Sequence, residues 1–197
     1  MRTVVPKNAK LIPDNAECVF RGKIFDVYQW PQKMFDGSFE TFEMLKRPDT
    51  VNVFAIKEGK IVILKQKQPN SSEFYGIPGG RQDPNETELE TAKRELLEEA
   101  GMTFKNWRLI WAVQPFGKID WCMYWFLATD FVDQVPQKLD AGERISVQEM
   151  TLDEVKNLIA DLDVNSRADF VREIFDNIST IDDLINWPEY VGQEVSN

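Results

Sequence analysis

Residues 80–102, which read GRQDPNETELETAKRELLEEAGM, decide the fold of this chain. The tripeptide Asp83-Pro84-Asn85 is typical of a turn. Either Asn85 or Thr87 can cap a following helix, because each has a glutamate three residues later, as in a capping box. Gly101 is a good C-terminal stop for such a helix. The stretch therefore predicts a loop followed by a helix.

The predicted helix has two faces of different chemistry. Apolar residues at helical spacing form a stripe made of Leu89, Ala92, Leu96 and Ala100. Roughly opposite, three carboxylates stand at i, i+3 and i+4, namely Glu95, Glu98 and Glu99. Crowded carboxylates repel one another, so this face costs stability unless a cation lies among them. Hard oxygen ligands suit Mg²⁺, with Mn²⁺ as an alternative.

Arg94 is the cation nearest to these carboxylates in sequence. It can pair with Glu98 at i+4 or reach back toward Glu86, and either contact would hold the acidic group in place. The alternative interpretation is an acidic, solvated helix with ordinary ion pairs. Gly80, Gly101 and Arg94 stand at set distances from these carboxylates, and this pattern favours the interpretation as a cation site. Glu88 and Glu90 fall outside that spacing and are interpreted as ordinary solvated side chains.

The fixed positions match the Nudix box, the motif of the Nudix hydrolases. They are Gly80, Glu86, Arg94-Glu95-Leu96, Glu98-Glu99 and Gly101-Met102. This resemblance implies metal-dependent cleavage of a nucleoside diphosphate linked to another group. It implies that Glu95 and Glu99 are the principal metal ligands, assisted by Glu98 and the Gly79 carbonyl, while Arg94 and Glu86 organise them. Glycine permits that close approach of the backbone.

Composition narrows the functional classes. The chain has 197 residues, 43% of them hydrophobic, and a net charge of −10, which disfavours binding to nucleic acid or to an anionic membrane. The sequence contains no histidine, which excludes Ser-His-Asp triads and the usual zinc sites. The first residues lack the apolar core of a signal peptide, and Cys18 and Cys122 lie far apart, so we expect a cytoplasmic protein with reduced thiols.

Strand and helix patterns predict an α/β fold, with a mixed β-sheet sandwiched between helices and an N-terminal antiparallel strand extension. The predicted strands are 18–21, 25–30, 39–45, 51–56, 60–65, 107–113 and 121–129. Helices are predicted over 152–161, 168–178 and 181–187, with Ser166 and Thr180 as caps. We divide the chain into residues 1–48, the strand extension, and residues 49–197, a Nudix domain with a helical C-terminus.

A closer resemblance extends over residues 17–178. The stretch FRGKIFDVYQWPQKMFDGSFETFEMLKRPDTVNVFAI, followed by KIVILKQKQP, is similar to the branch containing ADP-ribose pyrophosphatases and other nucleotide-sugar hydrolases. That resemblance implies a homodimer with exchanged N-terminal strands and a base-binding cleft built from both subunits. Tyr28, Trp30 and Phe35 are candidates for stacking on the base, although aromatic residues in short strands more often belong to a core or an interface.

Lys65-Gln66-Lys67-Gln68 stands where this branch has an Arg-Gln-aromatic-Arg pattern that contacts phosphates. Strand alternation places Lys65 and Lys67 on one side, where both could neutralise the diphosphate. Gln68 replaces the second arginine, and lysine lacks the bidentate fork of arginine. The alternative is a solvated basic edge.

The branch also supplies a metal ligand and a catalytic base from an acidic loop, which Ala141-Gly142-Glu143-Arg144-Ile145 matches here. Glu143 fits the metal-ligand position, and it could equally be a surface residue beside Arg144. Ala141 occupies the position of the base, so the base is Asp140, or a box carboxylate, Glu98 or Glu99.

The resemblances together imply hydrolysis of the diphosphate of ADP-ribose, or of a related nucleoside diphosphate sugar, to a nucleoside monophosphate and a sugar phosphate. Two alternatives remain at this point. One is a nucleoside triphosphate pyrophosphohydrolase, which would normally lack the N-terminal strand extension. The other is a nucleotide-sugar sensor without catalysis, which would normally have a degraded box.

Overall fold

The computed structural model describes residues 2–69, 71–161, 172 and 174–193. Its strands are β1 Glu17–Arg21, β2 Asp26–Lys33, β3 Phe39–Lys46, β4 Thr50–Lys57, β5 Lys60–Lys67, β6 Phe74–Gly76, β7 Met102–Val113, β8 Ile119–Asp120, β9 Met123–Gln134 and β10 Arg144–Met150. Its helices are α1 Glu88–Ala100, α2 Leu152–Asp161 and α3 Ile181–Ile185.

The central sheet has the strand order β10-β5-β4-β9-β7, with β6 added on β5. Strands β4 and β9 run parallel and the other neighbours run antiparallel, so the sheet is mixed. One face packs on α1 through Val51, Val53 and Leu96, and the other packs on α2 through Phe54 and Val155. The predicted α/β class with a mixed sheet between helices is therefore confirmed.

A second sheet has the order β1-β2-β3-β8. Strands β1 to β3 are antiparallel, as predicted for the N-terminal extension, while β8 pairs with β3 in parallel. Much of the large apolar surface that the structure exposes lies on or beside these strands, at Val19, Phe20, Ile24, Phe25, Met34, Phe35 and Phe39. The proposed division at residue 48 and the exchange of strands between subunits remain predictions.

Several boundaries differ from the sequence prediction. Strand β7 begins at Met102 rather than at Trp107, because the left-handed Gly101 ends α1 and Met102 and Phe104 then alternate into the core. The short strands β6 and β8 have no periodicity long enough to detect. Thr180 caps α3 as predicted. Residues 172 and 174–176 of the predicted helix 168–178 are helical. Residues 168–171 and 173 of that helix and its predicted cap Ser166 lie outside the described residues. None of the described helices is long and apolar enough to cross a membrane.

Candidate active site

The helix that carries the box is capped at both ends by its own sequence. Thr87, one of the two predicted caps, accepts a hydrogen bond from the Glu90 N–H, and the Glu90 carboxylate accepts one from the Thr87 N–H. At the other end Gly101 has φ 68° and donates its N–H to the Leu97 carbonyl. These caps fix where α1 starts and stops, and thereby which side chains face the loop 77–80.

Glu99 is the most buried carboxylate of the box, with 5% of its surface exposed. One of its oxygens accepts the Gly79 N–H at 2.8 Å. Burial raises the pKa of Glu99 to about 8, and the charges of Glu95, Glu143 and Glu98 act in the same direction. Burial likewise raises the pKa of Glu95. The box carboxylates therefore lie together in a poorly solvated place.

Arg94 forms both of the ion pairs that the sequence allows. Its guanidinium binds the Glu86 carboxylate through two contacts of 2.8 and 3.0 Å. The same group donates to Glu95 at 2.9 Å and to Glu98 at 3.1 Å. The hydrogen bond from Arg94 is the main cause that lowers the pKa of Glu86 to about 2. Glu86 is therefore ionised at neutral pH and anchors Arg94 beside the box carboxylates.

The two glycines of the loop are required by close packing. Strand β4 holds the loop in place, because the N–H groups of Val51 and Val53 donate to the carbonyls of Gly80 and Pro78 at 2.9 and 2.8 Å. A Cβ atom on Gly80 would overlap the Glu95 carboxylate, and one on Gly79 would overlap the Val51 carbonyl. Bare backbone therefore meets the box carboxylates at this point.

Glu143 lies in the loop before β10 and is half-buried. Its charge raises the pKa values of Glu95 and Glu99, which places it near the box carboxylates. Its backbone N–H donates to the Asp140 carbonyl at 3.0 Å, so the two candidate residues of the acidic loop are adjacent in space. Among the residues that the structure describes, no three carboxylate or cysteine side chains converge closely enough to hold a metal ion. Glu95 and Glu98 are bound to Arg94 instead.

The predicted basic residues follow strand β5. Gln66 is buried, so its neighbours Lys65 and Lys67 face the opposite side of the strand, as alternation predicts. Lys65 pairs with Glu73 at 2.8 Å, and Lys67 is exposed. The Gln68 N–H donates to the Ser71 hydroxyl at 3.2 Å, which places Gln68 in the turn after the strand. Binding of substrate by these three residues stays a prediction.

The predicted stacking residues belong to the second sheet and to the turn that joins β2 and β3. Trp30 is 8% exposed, packs on Phe42 with ring centroids 5.0 Å apart and donates its indole N–H to Gln32. Tyr28 is half-buried under the Lys46 ammonium group. Phe35 is fully exposed in the turn. Within this single chain, Phe35 and Tyr28 present more free ring surface than Trp30 does.

The prediction from the sequence that Glu88 is a solvated side chain is wrong. Glu88 is 2% exposed and accepts hydrogen bonds from the backbone N–H and the hydroxyl of Thr3. Helical spacing does indicate the burial of Glu88, because Glu88, Ala92 and Leu96 lie at i, i+4 and i+8 on the buried stripe. Glu90 is exposed, as expected.

Comparison with known proteins agrees with this geometry. The sequence model of the NUDIX domain matches residues 46–174, which is more than half of the chain. The chain belongs to the Nudix hydrolase family. An ADP-ribose pyrophosphatase of Bacillus subtilis (strain 168) is 34% identical over 152 residues, or 75% of this chain and 82% of that protein. This relative confirms that the Nudix hydrolase resembles the ADP-ribose pyrophosphatase branch.

Other relatives are more distant. A methanol dehydrogenase activator of Bacillus methanolicus is 29% identical over 148 residues, or 73% of this chain and 80% of that protein. The crystal structure of an ADP compounds hydrolase has a TM-score of 0.65 at 20% identity, covering 86% of this chain and 94% of that one. The structure of a NUDIX hydrolase from Nitrosomonas europaea has a TM-score of 0.54 at 21% identity, and the match covers 73% of this chain and 92% of that one. At these identities the solved structures support the fold.

Proposed function

We propose that this Nudix hydrolase cleaves the diphosphate linkage of ADP-ribose, or of a related nucleoside diphosphate sugar, to a nucleoside monophosphate and a sugar phosphate. The observation that carries the proposal is the set of box carboxylates gathered against the bare backbone of Gly79 and Gly80. The identity with the Bacillus subtilis enzyme supports the choice of substrate.

The chemistry of the donor set fits a divalent cation, which would have to draw Glu95 and Glu98 away from Arg94. Glu95, Glu98, Glu99 and Glu143 crowd negative charge into one poorly solvated place, and Arg94 is the cation that contacts Glu95 and Glu98 there. Oxygen ligands of this kind match Mg²⁺ or Mn²⁺. We propose that these four carboxylates and the Gly79 carbonyl hold the ion. Bound there, it would neutralise charge on the phosphates and lower the pKa of a water molecule.

The remaining residues have separate tasks in this mechanism. Arg94 makes two contacts with Glu86 that do not involve Glu95 or Glu98, so its guanidinium would stay in place if those two carboxylates held the cation. Lys65 and Lys67, on one side of β5, bind the diphosphate, and Gln68 lies beside them. The proton of the attacking water passes to a carboxylate of the site, for which Glu98, Glu99 and Asp140 are the candidates.

The substrate class is tested by hydrolysis of a panel in the presence of Mg²⁺, with products separated by chromatography. The panel contains ADP-ribose, GDP-mannose, UDP-glucose, NADH, diadenosine polyphosphates and nucleoside triphosphates. We expect AMP and ribose 5-phosphate from ADP-ribose, and Glu99→Gln should reduce turnover about 10²- to 10⁴-fold. Pyrophosphate released from triphosphates, without cleavage of any nucleotide sugar, would contradict the proposal. Glu40→Gln, an exposed carboxylate on β3, serves as the control.

We further propose that the protein is a cytoplasmic homodimer that uses its N-terminal sheet. Exposed apolar side chains such as Phe20 and Phe39 are concentrated there, and surfaces of this kind mark interfaces. Both cysteines are free, which suits a reducing compartment. Sedimentation should give a dimer, and Phe20→Ser combined with Phe39→Ser should give a monomer. Val132→Ser, an exposed apolar residue on β9, should remain dimeric. A wild-type monomer at all concentrations would contradict this assignment.

A further inference from the structure

The first residues of the chain lie across the catalytic domain, although they precede the strand extension. The backbone carbonyl of Val4 accepts the Tyr124 hydroxyl at 2.8 Å, and Val5 pairs with Gln193. Val5 and Tyr124 are buried. We call residues 2–5 the N-terminal strap.

Arg2 joins two buried carboxylates. It binds Asp49 through contacts of 2.5 and 2.7 Å, and its third nitrogen lies 2.6 Å from Asp120. The side chains of Asp49 and Asp120 are each 4% exposed. Asp49 also accepts the Cys122 N–H at 2.8 Å. Arg2 therefore supplies the positive charge that pairs with these two poorly solvated carboxylates.

Asp49 is hydrogen-bonded to the loop of residues 82–87 that precedes α1. Its backbone carbonyl accepts the Gln82 N–H at 2.8 Å. The Gln82 side chain is buried and donates to the Glu86 carbonyl at 2.6 Å, just before α1. Glu86 in turn holds Arg94. Two hydrogen bonds, both made by Gln82, therefore link Asp49, the partner of Arg2, to Glu86.

Thr3 binds Glu88, which follows the loop of residues 82–87. The Thr3 N–H and hydroxyl donate to the two oxygens of Glu88 at 2.7 and 2.6 Å. Glu88 is the first residue of α1, where a carboxylate also interacts favourably with the helix dipole. Arg2 and Thr3 are adjacent in sequence, so the strap spans from the start of β4 to the start of α1, with residues 82–87 between the two anchors.

The two anchored elements carry the two halves of the site. Strand β4 holds the glycine loop by donating its N–H groups to the carbonyls of Pro78 and Gly80, and α1 carries Glu95 and Glu99. We propose that the N-terminal strap sets the placement of α1 against the glycine loop, and that Arg2, Thr3 and Glu88 are positioning residues for metal binding and hydrolysis. This inference rests on the proposed function.

The test compares variants that differ by one contact. Thr3→Val removes the hydroxyl that binds Glu88 at almost unchanged volume, and Thr3→Ser retains it. Arg2→Met and Glu88→Gln remove one charge each from the two anchors. Arg21→Met, which removes an arginine that is 75% exposed, is the matched control. Each protein is assayed for Mn²⁺ affinity by electron paramagnetic resonance, for kcat and KM on the best substrate of the panel, and for hydrogen exchange.

We expect Thr3→Val, Arg2→Met and Glu88→Gln to weaken Mn²⁺ binding and lower kcat by about 10- to 100-fold, with KM little changed. Hydrogen exchange in residues 81–88 should accelerate. Thr3→Ser and Arg21→Met should match the wild type. The inference would be overturned if Thr3→Val, Arg2→Met and Glu88→Gln unfolded at lower temperatures but kept wild-type Mn²⁺ affinity and kcat when assayed well below the unfolding temperature. The strap would then be merely structural.

The Mn²⁺ measurement separates this inference from the proposed function. A wild type that binds Mn²⁺ but cleaves no nucleotide sugar defeats the proposed substrate, while weaker binding by Thr3→Val still supports positioning by the strap. A wild type that does not bind Mn²⁺ overturns both. If Arg2→Met does not fold, the comparison of Thr3→Val with Thr3→Ser decides the matter.

Discussion

Replacing Glu99 by glutamine should remove much of the pH dependence of stability in the metal-free protein. Glu99 is 5% exposed, and burial raises its pKa from 4.5 to about 8. A carboxyl group whose pKa rises on folding stabilises the folded state only while it is protonated. The contribution of Glu99 to the free energy of unfolding is therefore complete below pH 4.5 and is lost as the pH rises through about 8.

The size of the effect follows from the same values. Each tenfold change in proton affinity corresponds to about 1.4 kcal/mol. A pKa that moves from 4.5 to about 8 thus lowers the free energy of unfolding by up to about 5 kcal/mol once Glu99 is ionised. Glutamine keeps an oxygen that can accept the Gly79 N–H but has no charge to desolvate, so Glu99→Gln should lack this loss.

Urea unfolding with EDTA at about pH 5 and about pH 9 measures the difference. We expect the free energy of unfolding to fall by several kcal/mol more in the wild type than in Glu99→Gln. Glu40→Gln should behave like the wild type, because Glu40 is exposed. Adding Mg²⁺ should restore wild-type stability at the higher pH, since an ion that binds the ionised carboxylates favours the folded state. The same pH dependence in wild type and Glu99→Gln would refute the reasoning.

Three further outcomes are expected of the catalytic site. Gly80→Ala pushes the Glu95 carboxylate aside and should reduce kcat by about tenfold or more, whereas the methyl group of Gly117→Ala meets no atom within 4 Å and should have no effect. Lys65→Met should raise KM several-fold with kcat little changed, and Lys60→Met, an exposed lysine at the other end of β5, should match the wild type in steady-state assays. EDTA should abolish hydrolysis in a chromatographic assay, and Mg²⁺ added in excess should restore it.

Features encoded by nearby residues could be predicted from the sequence. The Thr87 cap, the Gly101 stop and both ion pairs of Arg94 depend on neighbours within one or two turns of helix. The alternation that sets Lys65 and Lys67 apart from Gln66 is equally local. Strand β6 escaped detection because three residues give no periodicity.

Contacts between distant residues could not be predicted in this way. Glu88 is buried because Thr3, 85 positions away, closes over it, and Asp49 is held by Arg2 across 47 positions. Trp30, offered as a stacking residue, packs on Phe42 of the neighbouring strand within the second sheet. In each case the chemistry of the side chain is visible in the sequence, but its neighbour is not.

The sequence by itself determined the Nudix box, the helix that carries it and the carboxylates that face one side, because helical spacing is a property of consecutive residues. Only the tertiary structure decided which of those carboxylates is desolvated. Burial raises the pKa of Glu99, to which Gly79 donates its N–H, and the charge of Glu143, from a separate part of the chain, raises that pKa further. The electrostatic state of a site depends on what surrounds it, and folding alone brings those surroundings together.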